Sequence, residues 1–354
     1  MKHIFSVHSP VTFLISHAVI EHLKLDIKDV IILSNRYKLP IEKYNHLPFF
    51  ANLKHTILQK LKYINTPLWE DRYLTGLLEG EEFVAYVDLM SYHQRVFITH
   101  PHCRRFHFIE EGNASYRDND SLDDLTWDKR QQPYRLRGFG QILKEIVSAA
   151  KWAARGYSHK LLSIPYSYNN FNFYEGVQFF GFSELAHPAI HPSKKVVIPL
   201  KQSKELKIMA GNIQLSDCLI WLDGSGKAFT HLSDEIYNRA IDRGIEKLYQ
   251  ELTSKPVYVK LRPGIDDYNN NYLYKALKEK GLNVSVMPND LIIECVFANS
   301  SNCTVVGNLS SALFYASIFG HKSYSIYSLF EQNVPTVFDQ MSGFWSKVER
   351  LENT

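Results

Sequence analysis

Residues 1–34 read MKHIFSVHSPVTFLISHAVIEHLKLDIKDVIILS. Residues 3–7 and 30–34 are short apolar runs typical of strands, and His8-Ser9-Pro10 is typical of a turn. Between the two runs, residues 12–25 place apolar side chains near helical spacing and predict a helix. A strand, a helix and a second strand form the unit from which parallel sheets covered by helices are built. This stretch therefore predicts an α/β fold.

The same alternation continues through the rest of the chain. Residues 83–87, 105–109 and parts of 179–200 predict further strands, and the polar residues 201–212 predict a linker. The pattern then restarts in the second half. Strands are predicted at 218–222, 257–261, 284–286, 303–307 and 323–327, and helices at 234–252, 271–280, 291–298 and 311–319.

Length and composition agree with two domains of ordinary size. The chain has 354 residues, of which 45% are hydrophobic and 22% charged, the balance of a globular protein. We expect two Rossmann-like domains, 1–205 and 206–354, that face each other across a cleft. In such folds ligands bind outside the carboxyl ends of the strands.

Charge and cysteine content exclude several classes of protein. A net charge of +3 is too small to indicate a nucleic-acid partner, which requires clustered Lys and Arg. The four cysteines form no C-x-x-C pair, which indicates a reducing compartment rather than a disulfide scaffold. No apolar window reaches 18 residues and no signal-peptide pattern is present, so we expect a cytoplasmic protein.

Glu110-Glu111-Gly112 follows the apolar strand 105–109. Adjacent side chains of extended chain point to opposite sides, so one carboxylate can enter a ligand cleft while the other braces the turn. A single carboxylate placed in this way is suited to act as the general base of a sugar transfer. A solvated acidic turn is the alternative interpretation of the same residues.

Ser310 and Ser311 lie between the strand 303–307 and the helix 311–319. Hydroxyls and free backbone N–H groups at a helix N-terminus favour a phosphate, because the helix dipole and the unsatisfied donors attract an anion. Ser310 is also a good N-cap residue. Capping alone therefore explains the pattern as well as ligand binding does.

Two other strand ends in the second half carry candidate nucleotide contacts. Arg262 precedes the rigid turn Pro263-Gly264, and its guanidinium geometry suits a phosphate. Residues 223–227, Asp-Gly-Ser-Gly-Lys, allow close approach of the backbone to a phosphate, although their spacing is not that of a Walker loop. A surface strand end is the alternative interpretation of the Arg262 turn.

No metal site is predicted. Asp118-Asn119-Asp120 has the D-x-D form of a metal-dependent transferase, but it lies in a polar loop and is better explained as solvated. The histidines at 100, 102 and 107 lack a matching Cys or acidic cluster. His187-Pro188 and His191-Pro192 are interpreted as turns.

The order of these motifs resembles that of the bacterial sialyltransferases, in particular the lipooligosaccharide sialyltransferases and the capsular polysialyltransferases. That family carries an acidic-acidic-Gly motif, a His-Pro motif and a Ser-Ser/Thr motif on two Rossmann-like domains, the GT-B architecture. The turn His8-Ser9-Pro10 is similar to the Ser-Pro turn that follows the family's first strand. The resemblance implies an inverting transfer of sialic acid from CMP-sialic acid, with no cofactor and no metal.

The resemblance also implies a role for individual residues. Glu111 would be the general base in the acceptor-side domain and Glu110 its structural partner. In the CMP-sugar domain, Ser310 and Ser311 would hold the phosphate and Glu294 the ribose hydroxyls. The remaining implied nucleotide and sugar contacts are Gly224, Ser225, Pro263 and Ser9.

Arg262-Pro263 stands where the family has His-Pro. Arginine keeps the positive charge that stabilises the leaving phosphate, but it cannot donate a proton as an acid at neutral pH. The substitution leaves three alternatives open: a CMP-Kdo donor, a UDP- or GDP-hexose donor on the same fold, and an inactive nucleotide- or sugar-binding module.

The expected partners are a nucleotide-sugar donor and a cell-surface glycan acceptor, such as lipooligosaccharide, O-antigen or capsule, which could be lipid-linked. Residues 138–155 predict a helix with Lys144, Lys151 and Arg155 among apolar residues. Such a helix could rest on anionic lipid at the inner membrane face, and a core helix with a basic outer face is the alternative.

Overall fold

The computed structural model describes residues 1–34, 38–48, 66–88, 92–118, 168–200, 204–223, 233–262, 269–330 and 340–352. The chain divides into two compact units, Met1–Pro199 and Leu200–Thr354. The predicted boundary at 205 lies a few residues further along the chain. The predicted cleft between two domains, and their assignment to acceptor and donor, stay predictions.

The first unit contains a parallel sheet. Its strands are β1 (Lys2–Val7), β2 (Val30–Ser34), β3 (Asn45–Pro48), β4 (Phe83–Val87), β5 (Cys103–Ile109), β6 (Phe179–Gly181) and β7 (Lys195–Val197). In the part of the chain that the structure describes, they lie in the order β3-β2-β1-β4-β5-β6-β7, and each neighbouring pair is parallel. The chain builds outward from β1 to one side and then returns to its other side at β4. The carboxyl ends of β1 and β4 therefore flank a topological switch point, where doubly wound sheets bind ligands.

Three α-helices are described in this unit: α1 (Pro10–Leu23), α2 (Thr66–Leu78) and α3 (Tyr92–Thr99). Helix α1 begins at the predicted turn because Ser9 is its N-cap and Pro10 occupies the first helical position. Ser9 and Thr12 form a reciprocal capping box, in which the Ser9 side chain accepts from the Thr12 backbone N–H and the Thr12 side chain from the Ser9 N–H. Local capping thus fixes where β1 ends and α1 starts.

The second unit also contains a parallel sheet. Its strands are β8 (Leu219–Asp223), β9 (Val257–Leu261), β10 (Val284–Val286), β11 (Thr304–Gly307), β12 (Lys322–Ser325) and β13 (Glu349–Arg350). Within the described ranges, their order is β10-β9-β8-β11-β12-β13, again with parallel neighbours. The switch point of this sheet lies between β8 and β11. Two parallel sheets in an α/β chain confirm the predicted fold class.

The helices described in the second unit are α4 (Lys204–Met209), α5 (Asp234–Lys247), α6 (Tyr249–Ser254), α7 (Tyr272–Glu279), α8 (Ile293–Asn299), α9 (Ser311–Ile318) and α10 (Ser342–Trp345). Three of these seven helices begin at side-chain caps that are visible in the sequence. Ser233, Asn271 and Ser310 each accept a hydrogen bond from a backbone N–H of the first turn of α5, α7 and α9, respectively.

Two predictions about elements were wrong in detail. The supposed linker at 201–212 contains α4, whose Leu206 and Met209 are buried and hold it against the rest of the unit. Two apolar residues three positions apart among charged ones are enough to anchor a short helix. The single helix predicted at 234–252 is two helices, because Leu248 leaves helical geometry at φ −101°, ψ 11°.

The central strands explain the long apolar runs in the sequence. Every residue of β4 and of β8 is buried, as expected for parallel strands covered by helices on both faces. None of the helices in the described ranges is both long and apolar enough to cross a membrane. The predicted helix at 138–155 lies outside the described residues.

Candidate functional site

Glu110, the first residue after β5, is a structural carboxylate. Its side chain is fully buried, and both of its oxygens accept hydrogen bonds. The Tyr116 hydroxyl donates to Oε1 over 2.5 Å, and the Phe182 backbone N–H donates to Oε2 over 2.7 Å. Because buried carboxylates need such partners, these contacts hold the loop after β5 against the end of β6.

Gly112 gives the acidic motif its shape. Its backbone lies at φ 120°, ψ −135°, a conformation essentially confined to glycine. The turn that follows is closed by Ser115, whose Oγ accepts from the Glu111 backbone N–H over 2.9 Å and whose N–H donates to the Gly112 carbonyl over 2.9 Å. The glycine therefore lets the chain turn immediately after Glu111, and Ser115 fixes the Glu111 backbone.

His8 and Asp88 form an ion pair at the switch point of the same sheet. His8 directly follows β1, and Asp88 directly follows β4. Nε2 of His8 lies 2.6 Å from Oδ2 of Asp88. Asp88 is 1% exposed, whereas the His8 side chain keeps 26% exposure. The buried Asp88 carboxylate thus holds a partly exposed imidazole at this edge of the sheet.

The surroundings of His8 favour its positively charged form at neutral pH. Burial alone would lower the pKa, but the charge of Asp88, its hydrogen bond and the charge of Glu111 raise it to about 9. The Asp88 carboxylate can only accept a hydrogen bond, so the shared proton lies on Nε2 of His8.

Glu111 lies in the field of this pair. It is half-buried, and burial together with the Asp88 charge raises its pKa to about 7, while His8 and Arg117 act in the opposite direction. A carboxyl group that titrates near neutral pH is suited to exchange a proton with a bound hydroxyl. Glu110 and Glu111, although adjacent, therefore differ in their surroundings.

Ser9 has a structural function in the described geometry. Its hydroxyl caps α1 and lies 3.1 Å from Oγ1 of Thr12. The residue nevertheless remains half-exposed and follows His8 directly, so it lies at the same edge of the sheet. The implied contact of Ser9 with a sugar stays a prediction.

In the second unit, Ser310 and Ser311 lie just beyond β11 at the switch point. Ser310 Oγ accepts from the Ala312 backbone N–H over 3.3 Å, so this hydroxyl caps α9. Ser311 is the first residue of α9, and both serines are half-buried. The helix start offers a hydroxyl, backbone donors and the positive end of the dipole, which together suit a phosphate.

Glu294 is a buried acid in the first turn of α8. It is 7% exposed, and burial raises its pKa to about 7, although its own backbone and the nearby Lys260 lower the pKa. Lys260 is also buried and donates to the carbonyl oxygens of Leu261 and Asn289 over 3.0 Å and 3.1 Å. A carboxylate in this setting is suited to accept hydrogen bonds from hydroxyls, such as a diol.

Asp223 organises the carboxyl ends of β8 and β9. The Tyr237 hydroxyl and the Asn271 amide each donate to its carboxylate over 2.6 Å. The backbone N–H of Arg262 donates to the Asp223 carbonyl over 3.1 Å, which places the exposed Arg262 next to the switch point. Gly224, Ser225 and Pro263 lie outside the described residues.

His8 and Asp88 were missed as functional candidates from the sequence. The signal was present, since each is the first polar residue after an apolar strand, as Glu110 is after β5. What the sequence does not show is that β1, β4 and β5 are neighbours, because β2 and β3 intervene along the chain. Sheet order brings the three strand ends together.

The histidines and acids reveal no metal-binding group in the ranges that are described. No cluster of three or more His, Cys, Asp or Glu there could hold an ion. His187, predicted in a turn, is buried with φ 52°, and burial, aided by Lys195, lowers its pKa to about 3 although Asp88 acts to raise it. Of the D-x-D sequence, only Asp118 is described.

No protein-family model and no curated protein matches the sequence. Several solved structures are similar in fold. The glycotransferase of kitacinnamycin gives a TM-score of 0.48 at 11% identity, over 99% of this chain and 86% of that chain. UDP-GlcNAc 2-epimerase from Methanocaldococcus jannaschii, in complex with UDP-GlcNAc and UDP, gives 0.47 at 12% identity, over 92% and 83%.

The ADP-heptose LPS heptosyltransferase II of E. coli gives a TM-score of 0.41 at 10% identity, over 92% of this chain and 84% of that chain. All three TM-scores are below 0.5, so these likenesses identify neither an activity nor a substrate for this chain. None of the three is described as a sialyltransferase, and the resemblance to that family stays a prediction.

Proposed function

We propose that this chain is an inverting glycosyltransferase that moves sialic acid from CMP-sialic acid to a hydroxyl of a glycan acceptor. The observation that carries the proposal is Glu111, a half-buried carboxyl group with a pKa of about 7 that follows β5, beside the switch point between β1 and β4. General-base catalysis is most efficient when the pKa of the base lies near the working pH.

The first unit would bind the acceptor. Glu111 would take the proton of the acceptor hydroxyl while the oxygen of that hydroxyl attacks the anomeric carbon of the sugar. Glu110 would hold the loop through Tyr116 and Phe182, since its two oxygens are already engaged. This division between a supporting and a reacting carboxylate follows from their different contacts.

The second unit would bind the donor nucleotide. Its phosphate would lie at the start of α9, on Ser311 and the backbone donors, with Arg262 supplying positive charge. Glu294 would accept hydrogen bonds from the ribose hydroxyls, which would offset the cost of keeping this carboxylate buried. Gly224, Ser225 and Pro263 keep the nucleotide-binding role that the sequence resemblance implies.

The transfer reaction needs no reactant other than the sugar donor and the acceptor hydroxyl. The bond from the acceptor oxygen to the anomeric carbon forms, the bond from that carbon to the phosphate oxygen of CMP breaks, and Glu111 receives the proton. CMP leaves as an anion, and Arg262 together with the α9 dipole would stabilise the charge that develops on its phosphate. The choice of a CMP donor is supported by the order of the sequence motifs.

The test is incubation of the chain with CMP-sialic acid and a panel of galactoside acceptors, followed by mass spectrometry. A product heavier by one or more sialic acid residues, absent with Glu111→Gln, supports the proposal. A thermal-shift screen with CMP, UDP and GDP separates the alternatives. Stabilisation by UDP or GDP, but not CMP, would indicate a hexose transferase. Stabilisation by CMP without a sialylated product would indicate either a CMP-Kdo transferase or a binding module, and incubation with CMP-Kdo separates these two.

A further inference from the structure

The ion pair between His8 and Asp88 has a fixed orientation. Asp88 is buried at the end of β4 and accepts from Nε2 of His8 over 2.6 Å. His8 projects from the turn between β1 and α1, whose position Ser9 and Thr12 fix by capping. The second ring nitrogen, Nδ1, belongs to a side chain that keeps 26% exposure. The imidazole is therefore held in one place on the ligand-facing edge of the sheet.

Four charged or titratable groups are linked to this imidazole. Asp88 and Glu111, at the ends of the paired strands β4 and β5, act on His8 itself, whereas Arg117 acts on Glu111 and His187 on Asp88. Asp88 follows β4, Glu111 follows β5, and Arg117 follows the short 3-10 helix after the acidic motif. His187, from the segment after β6, acts on Asp88 electrostatically but is neutral near pH 7, because burial lowers its pKa to about 3. His8 is thus a positive charge that interacts with two carboxylates of different burial, those of Asp88 and Glu111.

We propose that His8, held by Asp88, is a positioning residue whose positive charge keeps Glu111 ionised and ready to accept a proton. The catalytic meaning of this inference rests on the proposed function of Glu111. The coupling between His8 and Glu111 is a property of the chain alone and can be measured without a substrate.

Asp88 explains why a histidine at this place is charged. Burial by itself would lower the pKa of His8, and the carboxylate of Asp88 reverses that effect and raises it to about 9. Asp88 therefore acts on Glu111 in two ways. Its own charge raises the pKa of Glu111, and the charge that it maintains on His8 lowers it. Near neutral pH the Asp88–His8 pair keeps a net charge of zero while Glu111 gains and loses its proton.

The first experiment titrates Glu111 directly. The full-length chain is labelled with glutamate carrying ¹³C at the side-chain carboxyl, and Glu111→Gln identifies the Glu111 resonance by its disappearance. We expect His8→Gln to raise the titration midpoint of Glu111 by about one pH unit or more, since the opposite charge that favours the ionised carboxylate has been removed. His8→Lys, which retains a cation, should keep the midpoint near that of the native chain.

An unchanged midpoint in His8→Gln would overturn the inference. Circular dichroism checks that each variant is folded. If His8→Gln does not fold, Asp88→Asn provides the second test, because loss of Asp88 lets burial neutralise His8. If the titration midpoint of His8 in Asp88→Asn, followed in ¹H–¹⁵N spectra, equals the midpoint measured in the native chain, the inference is equally overturned.

The second experiment separates this role from a merely structural one. In His8→Gln the acidic limb of the kcat/KM–pH profile should move upward by the same amount as the Glu111 midpoint. Activity should then fall about tenfold at pH 6 and recover near pH 9. An equal loss at every pH would instead indicate damaged structure and would overturn the proposal. If the native chain transfers no sialic acid but the midpoint moves, the proposed function fails while the coupling stands.

Discussion

The hydroxyl of Tyr116 donates to Oε1 of Glu110 over 2.5 Å, and this contact separates two adjacent carboxylates into different functions. With Phe182 on its second oxygen, Glu110 is saturated by the protein. Glu111, one residue later, is half-buried and has a pKa of about 7, raised by burial and by Asp88. The distinction comes from tertiary contacts, because the two residues are chemically identical in the sequence.

Glu111→Gln should abolish most transfer without weakening nucleotide binding. The amide cannot accept the acceptor proton, so we expect a loss of about 10²–10⁴-fold in kcat. Its dissociation constant for CMP, measured by calorimetry, should stay within about twofold of the native value. Activity equal to that of the native chain would place the base elsewhere.

Glu110→Gln is the matched control, with the opposite pattern. Replacing one carboxylate oxygen by an NH₂ group puts a donor against either the Tyr116 hydroxyl or the Phe182 N–H. The Tyr116 hydroxyl can turn to accept from that NH₂ group, but its hydrogen bond to a charged oxygen is lost, which should lower the free energy of unfolding by about 1–3 kcal/mol. Urea unfolding measures it. A variant as stable as the native chain would show that Glu110 does not brace the loop.

Ser310 and Ser311 should differ as Glu110 and Glu111 do, one acting on stability and the other on function. Ser310→Ala removes the cap of α9 and should cost about 1 kcal/mol of stability. Ser311→Ala leaves the cap in place and should instead weaken CMP binding several-fold, because a hydroxyl at the phosphate site is lost. Thermal unfolding with and without CMP distinguishes the two effects. Identical behaviour of the two variants would contradict this division.

Arg262 should contribute charge to nucleotide binding. Arg262→Ala should weaken CMP binding. Its CMP affinity should also fall less with added salt than that of the native chain, since an ion pair that salt screens has been removed. Arg262→Lys should recover part of the affinity, because charge is kept and the planar fork is lost. CMP affinity unchanged in both variants would show that the phosphate lies elsewhere.

The fold class was predictable because the apolar runs that favour strand formation locally are also what burial in a parallel sheet requires. Runs such as β4 and β8 are apolar throughout, and parallel strands buried on both faces require such runs. Helix starts were predictable where caps are local, as at Ser310 and Asn271. The short helix α4 was not predicted, because two buried residues, Leu206 and Met209, decide it against a charged background.

The candidate site was only partly predictable for a different reason. Glu111 and Ser311 stand beside recognisable motifs, whereas Asp88 is a single polar residue after a strand. Its importance depends on β4 lying next to β1, a contact between segments about eighty residues apart in the chain. Nothing local to Asp88 indicates its partner. Likewise, the burial of Glu294 beside Lys260 follows from packing and not from spacing.

Removal of divalent metal should leave transfer unchanged. The sequence resemblance implies a mechanism without metal, in which Arg262 and the α9 dipole stabilise the leaving phosphate. We expect equal rates before and after treatment with EDTA, measured as CMP release, with a metal-dependent transferase as the positive control for chelation. A loss that Mg²⁺ or Mn²⁺ restores would contradict this prediction.

Glu294→Gln should make the chain more stable at alkaline pH. Burial raises the pKa of Glu294 from 4.5 to about 7, so the folded state binds a proton more tightly than the unfolded state. Its contribution to stability is therefore fully present below pH 4.5 and is lost as the pH rises through 7. The loss amounts to about 3 kcal/mol above pH 8, from 1.36 kcal/mol per unit of pKa.

Glutamine cannot ionise and should escape that loss. The difference in unfolding free energy between Glu294→Gln and the native chain should therefore grow in favour of the variant between pH 4.5 and 8, when urea unfolding is followed by tryptophan fluorescence. The same variant should bind CMP more weakly, because a neutral amide accepts less strongly from ribose hydroxyls than a carboxylate does. Parallel stability curves across this pH range would show that Glu294 ionises in the folded chain without cost, and a CMP affinity equal to that of the native chain would contradict its assignment to the ribose.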